Sequence, residues 1–166
     1  DFQLFPIALS NKLGILPMYG TQTGASLIEG WAGQKNNYLV PISTFDKTAK
    51  TLVENKSCLV LIDIEGAELE CLKGANTLLA ANNENVFLVE ISVGEHQPVG
   101  IEINPNLFET FALMASYGYE AYTADANLRK VELPEVSNIA SSHIDTLGTH
   151  NFLFVKTQEI LSKIQF

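Results

Sequence analysis

The chain has 166 residues, 46% hydrophobic and 17% charged, the size and composition of one globular domain with a sizeable core rather than a disordered chain. Its 19 acidic and 10 basic residues leave a formal net charge of -9. The basic residues are scattered, so no footprint for a phosphate backbone is visible and nucleic acid is not an expected partner. Two cysteines, Cys58 and Cys71, read as buried reduced thiols and point to a cytoplasmic setting. No apolar run reaches the ~20 residues of a membrane span, and no signal segment opens the chain. The first residue is Asp1 rather than Met, which points to processing or truncation upstream.

"DFQLFPIALS" and "KLGILPMYG" each have an apolar centre with a proline, the pattern of short or edge strands. Thr21 to Gln34 is rich in Gly, Ser and Thr and reads as a loop with a short strand around Ser26 to Ile28. Tyr38 to Ile42 predicts a strand. Ser43 or Thr44 then caps a helix running to about Glu54, with Asp46 in its first turn. Leu59 to Asp63 is a continuous apolar run ending in a carboxylate, the pattern of a strand covered on both faces. The helix after it carries Leu69, Leu72, Ala75 and Leu79 on one stripe. Asn85 to Ser92 is a second apolar strand, ending at Glu90, and the two form a βαβ unit whose strands are expected to be parallel neighbours. A helix from about Pro105 to Tyr117, a strand from Glu120 to Thr123, a polar connection from Asn127 to Thr149, a strand in "THNFLFVK" and a helix from Gln158 to Ile164 complete a single domain.

In open α/β sheets ligands bind beyond the carboxyl ends of the strands, so Asp63, Glu65 and Glu90 are expected to meet on one rim. An acidic group at a helix N-terminus is also favoured by the helix dipole, by roughly 0.3 to 1 kcal/mol, and Glu68 is expected to do no more than that. For Asp63 both readings stand. Gly66 suits either a plain turn or the close approach of a ligand.

"LIDIEGAELECLKGA" resembles the K-I-D-V-E-G-A-E-x-x-V-L-x-G-A signature of the FkbM-type S-adenosylmethionine-dependent methyltransferases, with Leu61 where that family usually has lysine. "VPISTFDK", "VFLVEIS", "GYEAY" and "NFLFV" are similar to further segments of the family in the same order, from Val40 to Val155. The resemblance implies a Rossmann-like class I methyltransferase sheet of the α/β class. It also implies an O-methyltransferase acting on a hydroxyl of a sugar or secondary metabolite, with S-adenosylmethionine held in part by Asp63 and Glu65. The family's D-x-G-A-N-x-G loop is not matched, since Gly14, Gly20, Gly24 and Gly30 are not so arranged. Asp1 to Ser10 looks like the family's third strand. The chain therefore resembles the C-terminal part of the fold, lacking its first two strands, and by itself is expected to be inactive and to need a missing N-terminal segment or an oligomer.

An alcohol attacking a sulfonium methyl needs in-line placement and a proton acceptor. His96, shortly after the Glu90 strand, is placed in sequence to supply it, although a loop histidine also reads as a solvated surface residue. His143 and His150 read as surface residues. Trp31 is either a core residue or a platform for a sugar ring. Metal use is not implied, although Asp63, Glu65 and Glu90 are of the type that holds Mg²⁺. Other readings are a non-catalytic accessory module and, less well matched, the acidic strand of a Mg²⁺-dependent exonuclease or a receiver-like phosphoacceptor.

Overall fold

In a computed structural model that describes residues 2–163, the first part of the chain forms a small three-stranded sheet. Strands β1 (Ala8–Leu9), β2 (Gly14–Tyr19) and β3 (Asn37–Ser43) lie in the order β1-β3-β2, with β1 parallel and β2 antiparallel to β3. Pro17 is accommodated because β2 is an edge strand and needs no second set of ladder donors. Between β2 and β3, the strand expected around Ser26 reduces to one bridge between Tyr19 and Ser26, flanked by 3-10 turns at Gln22–Gly24 and Trp31–Gly33.

Thr44 caps the next helix, its Oγ1 accepting from the Lys47 amide at 3.2 Å. The single helix expected to run to Glu54 breaks at Ala49 (φ -125°, ψ -3°) into α1 (Phe45–Thr48) and α2 (Lys50–Val53).

The larger sheet has five strands in the order β4-β5-β8-β6-β7. They are β4 (Leu59–Ile62), β5 (Val86–Glu90), β6 (Glu120–Thr123), β7 (Lys130–Val131) and β8 (Asn151–Val155). β4 and β5 are parallel neighbours, with Leu59 opposite Val86 and Ile62 opposite Val89. β8 runs antiparallel between β5 and β6, so the sheet is mixed. The connections carry α3 (Glu68–Lys73), α4 (Asn76–Ala80), α5 (Leu107–Ser116) and α6 (Leu133–Ser142), and α7 (Gln158–Ser162) follows the last strand. Asp1 and Ile164, the outer ends of two expected elements, lie outside the described residues.

Four further expectations are corrected. The helix after β4 is not continuous: it breaks at Gly74 and Ala75, where the chain passes so close to β1 that a Cβ on Gly74 would lie 2.1 Å from the Ser10 carbonyl oxygen. Asp46 holds the second half, its carboxylate accepting from the Thr77 amide at 3.2 Å. The polar connection from Asn127 to Thr149 contains β7 and α6, whose Val136 and Ile139 are buried three residues apart and whose first turn carries Pro134. The third concerns β4, which is not covered on both faces. It is the outer strand of its sheet, and Leu59 and Leu61 are 76% and 69% exposed while Ile62 is buried. The segment that looks like the family's third strand, Asp1 to Ser10, contributes β1 (Ala8–Leu9) to the separate three-stranded sheet and not a strand of the five-stranded one, so the described residues make a mixed α/β fold with two sheets.

The core lies on the other strands. Phe87, Phe152 and Phe154 are fully buried, and Phe111 from α5 stands edge-on to Phe152, with ring centroids 5.0 Å apart. Both cysteines are free, Cys71 buried and Cys58 half-buried. Among the described residues no helix is long and apolar enough to cross a membrane.

Candidate active site

Five residues, Asp63 to Ala67, connect β4 to α3 and turn through two successive left-handed conformations, Glu65 at φ 58° and Gly66 at φ 94°. Glycine suits the second position. A Cβ there would also lie 2.5 Å from the Trp31 ring, so the indole is stacked directly on the turn. Two further contacts tie the turn to the loop before β3. The Ser26 hydroxyl donates to the Glu65 carbonyl oxygen at 2.5 Å, and the Trp31 indole Nε1–H donates to Glu65 Oε2 at 2.8 Å. Trp31 is 2% exposed. It is a core residue with a polar handle, and its buried faces leave no room for the sugar-stacking alternative.

Parallel, in-register pairing of β4 and β5 brings their next residues, Asp63 and Glu90, side by side at the carboxyl ends of the strands. Burial pushes the Glu90 carboxyl above its ordinary range, and the Asp63 carboxylate, within hydrogen-bonding reach, pushes it further, as does Glu65; His150 pulls the other way. Three of the four expected site residues, Asp63, Glu65 and Glu90, therefore share one rim. His96 lies in the loop beyond β5 with its ring 6.1 Å from that of Trp31, and its backbone carbonyl accepts from the Ala32 amide at 2.7 Å. Among the described residues it makes no ion pair.

His150 is exposed, as read from sequence, and it stands beside the rim. β8 is antiparallel to β5, so it begins where β5 ends, and the Ile91 amide donates to the His150 carbonyl oxygen at 2.6 Å. Its Nδ1 is 4.0 Å from Glu95 Oε1. Burial raises the Glu95 carboxyl, but the backbone amides of Glu95, Gly94 and Val93 outweigh it and, with His150, hold the group below the usual carboxylate range. Neither residue was legible as a site residue, because strand order is not written in a local pattern.

Glu68 corrects another expectation. It is in the first turn of α3, but its side chain is 3% exposed and points inward, with Oε1 accepting from the Gly66 amide at 2.9 Å. Burial pushes its carboxyl up to about 7, against the pull of the Glu68, Gly66 and Ile64 amides and with a smaller push from Glu90. It braces the acidic turn from beneath rather than answering the helix dipole at the surface. Burial, with Glu68 nearby, pushes the neighbouring Cys71 thiol up to about 12, so it is not a nucleophile near neutral pH.

Beside the rim, a cleft of about 440 Å³ opens between the two sheets. Leu9, Met18, Phe45 and Val60 are among its apolar walls, and Asp63 and Glu65 stand at its polar end. Among the described residues no group of three His, Cys, Asp or Glu side chains is arranged to hold a metal ion.

Compared with known proteins, residues 18–121 match the family model described as the methyltransferase FkbM domain. That span includes Trp31, Asp63, Glu65, Glu90 and His96 and stops short of His150. No curated protein and no solved structure matches the chain.

Proposed function

The chain belongs to the FkbM methyltransferase family, and from that premise we propose that it serves the S-adenosylmethionine-dependent transfer of a methyl group to a hydroxyl oxygen of a small molecule, a sugar or secondary metabolite. The observation that carries this reading is the meeting of Asp63, Glu65 and Glu90 at the carboxyl ends of adjacent parallel strands, inside the span of the family match.

The donor set suits part of the cofactor. Carboxylates accept from hydroxyls and favour a positive charge, so Asp63 and Glu65 fit its ribose hydroxyls and cationic groups. They do not fit its carboxylate, which calls for N–H donors of the kind a Gly-rich loop provides. No D-x-G-A-N-x-G loop occurs in residues 1–166. We therefore assign the chain to the C-terminal part of the methyltransferase sheet, a reading supported by the outer edge of β4, which pairs with no strand among the described residues, and by its exposed Leu59 and Leu61. When bound, the cofactor supplies an electrophilic methyl group on a sulfonium sulfur.

The chain's own residues orient the acceptor and take its proton. Asp63, beside Glu90, accepts a hydrogen bond from the acceptor hydroxyl and fixes the direction of its lone pair. His150 takes the hydroxyl proton, and the Glu90 and Glu95 carboxyls around it stabilise the imidazolium that forms. His96, expected in this role, has its ring 6.1 Å from that of Trp31 and makes no ion pair among the described residues. In our reading it covers the rim rather than serving as the base. The apolar cleft receives the body of the acceptor while the rim holds its hydroxyl.

The test is transfer of labelled methyl from S-adenosylmethionine to a panel of sugars and hydroxylated metabolites by the protein in its full natural length. An O-methyl ether is the expected product. Transfer to nitrogen or carbon, or none to any alcohol, would overturn the reading.

A further inference from the structure

We propose that Trp31 is the positioning residue of the acidic rim: by holding one oxygen of Glu65 it presents the other to a bound hydroxyl, so that the loop 21–34 sets the competence of the site. This rests on the reading of the rim as the site of methyl transfer. The indole Nε1–H is the one polar group on a side chain that is 2% exposed, and a buried N–H is expected to have a partner. Its partner is Glu65 Oε2 at 2.8 Å, so the buried donor is satisfied by a side-chain carboxyl oxygen.

Three further contacts make the arrangement rigid. The Ser26 hydroxyl fixes the Glu65 carbonyl oxygen, the bridge between Tyr19 and Ser26 anchors that serine to β2, and the Trp31 ring lies on Gly66 with no room for a side chain between them. The backbone at Glu65 is left-handed, a conformation that a residue with a Cβ keeps only where its surroundings enforce it. Among the described residues no donor reaches Glu65 Oε1, and Glu65 faces the 440 Å³ cleft. One carboxylate oxygen is thus committed to the protein and the other is left for a ligand. A carboxylate free to rotate would spend part of its time with neither oxygen placed, and catalysis falls steeply with small misplacements.

The chain has 1 tryptophan, so the indole N–H gives a single side-chain resonance in the ¹⁵N-labelled protein. Glu65→Gln is expected to move that resonance upfield, because a weaker amide acceptor replaces the carboxyl oxygen that holds the indole N–H. Trp31→Phe keeps an aromatic ring over Gly66 but loses the donor. In the full-length protein it is expected to lower kcat about tenfold, to change the acceptor KM less than twofold and to leave Tm within a few degrees, the size expected for one hydrogen bond acting in the transition state. An indole resonance indifferent to Glu65→Gln would overturn the proposal, as would a Trp31→Phe protein with the wild-type kcat. The resonance needs no turnover and no Trp31 variant, so it decides the contact even if Trp31→Phe does not fold. Absence of methyl transfer by the wild-type protein would count instead against the function proposed above.

Discussion

Replacing Glu68 by Gln is expected to stabilise the protein at pH 8 and not at pH 5. Glu68 is 3% exposed, its carboxyl accepts from the Gly66 amide, and burial pushes that group from 4.5 up to about 7. Above pH 4.5 the unfolded chain gives up this proton while the folded chain keeps it, so folded stability falls as pH rises and levels off once the buried group also ionises, above about pH 7. A raised pKa of this size corresponds to roughly 3 kcal/mol lost across that window, of which about 2 to 3 kcal/mol falls between pH 5 and pH 8. Glutamine keeps the acceptor for Gly66 and cannot ionise. It leaves one extra amide N–H to satisfy, at a cost of about 1 kcal/mol that is independent of pH. The difference in stability between variant and wild type should therefore change by about 2 to 3 kcal/mol in the variant's favour from pH 5 to pH 8. For a chain of this length that is a shift of roughly 4 to 12 °C in the difference between the two Tm values. Thermal unfolding followed by circular dichroism at half-unit pH steps measures it. Parallel Tm profiles for the two proteins from pH 5 to pH 8 would refute the reasoning, because they would mean that Glu68 ionises as freely folded as unfolded.

Two other outcomes follow from the rim. His150→Gln should lower methyl transfer by about 10² or more, while His96→Gln should change it less than about tenfold, and kinetics of the two full-length variants side by side would show a reversed order if the base were His96. The 166-residue chain should bind S-adenosylmethionine weakly or not at all in calorimetry, since no Gly-rich loop in it supplies N–H donors for the cofactor's carboxylate; micromolar binding would show that other residues of this chain replace that loop.

What was legible in the sequence was what a local pattern can carry. The aliphatic runs of β4 and β5, one helical connection between them, and the carboxylates at their ends led to parallel neighbours with Asp63 and Glu90 side by side, as found. Thr44 as a helix cap and Glu120–Thr123 as a strand were equally local. The misses were set by distant parts of the chain. Gly74 breaks a helix whose stripe looked continuous because Ser10, sixty-four residues earlier, passes against it. Leu59 and Leu61 look like interior residues in a one-dimensional run, and only the strand order shows that β4 is an outer strand. Glu68 looked like a surface carboxylate answering a dipole because nothing in "GAELE" says that its side chain turns back under Gly66. His150 lies sixty residues beyond Glu90, and only the antiparallel return of β8 brings them together. α6 was the exception, since Leu133, Val136 and Ile139 with Pro134 in the first turn are a helical signal, diluted by the polar residues between them.

The most direct measurement of the central claim, that the acidic rim is where methyl transfer occurs, is turnover and Tm in parallel for Asp63→Asn, Glu90→Gln and Glu84→Gln in the full-length protein. Glu84, whose side chain is 57% exposed and which pairs with Lys163 at the surface, is the control. The account predicts that the first two variants lose at least ~10² in turnover with Tm nearly unchanged, because functional carboxylates act on the reacting groups and are often held against their own stability optimum. It predicts that Glu84→Gln stays near wild type in both. Equal and small effects on turnover at all three positions would contradict it, leaving Asp63 and Glu90 as carboxylates that merely terminate two strands.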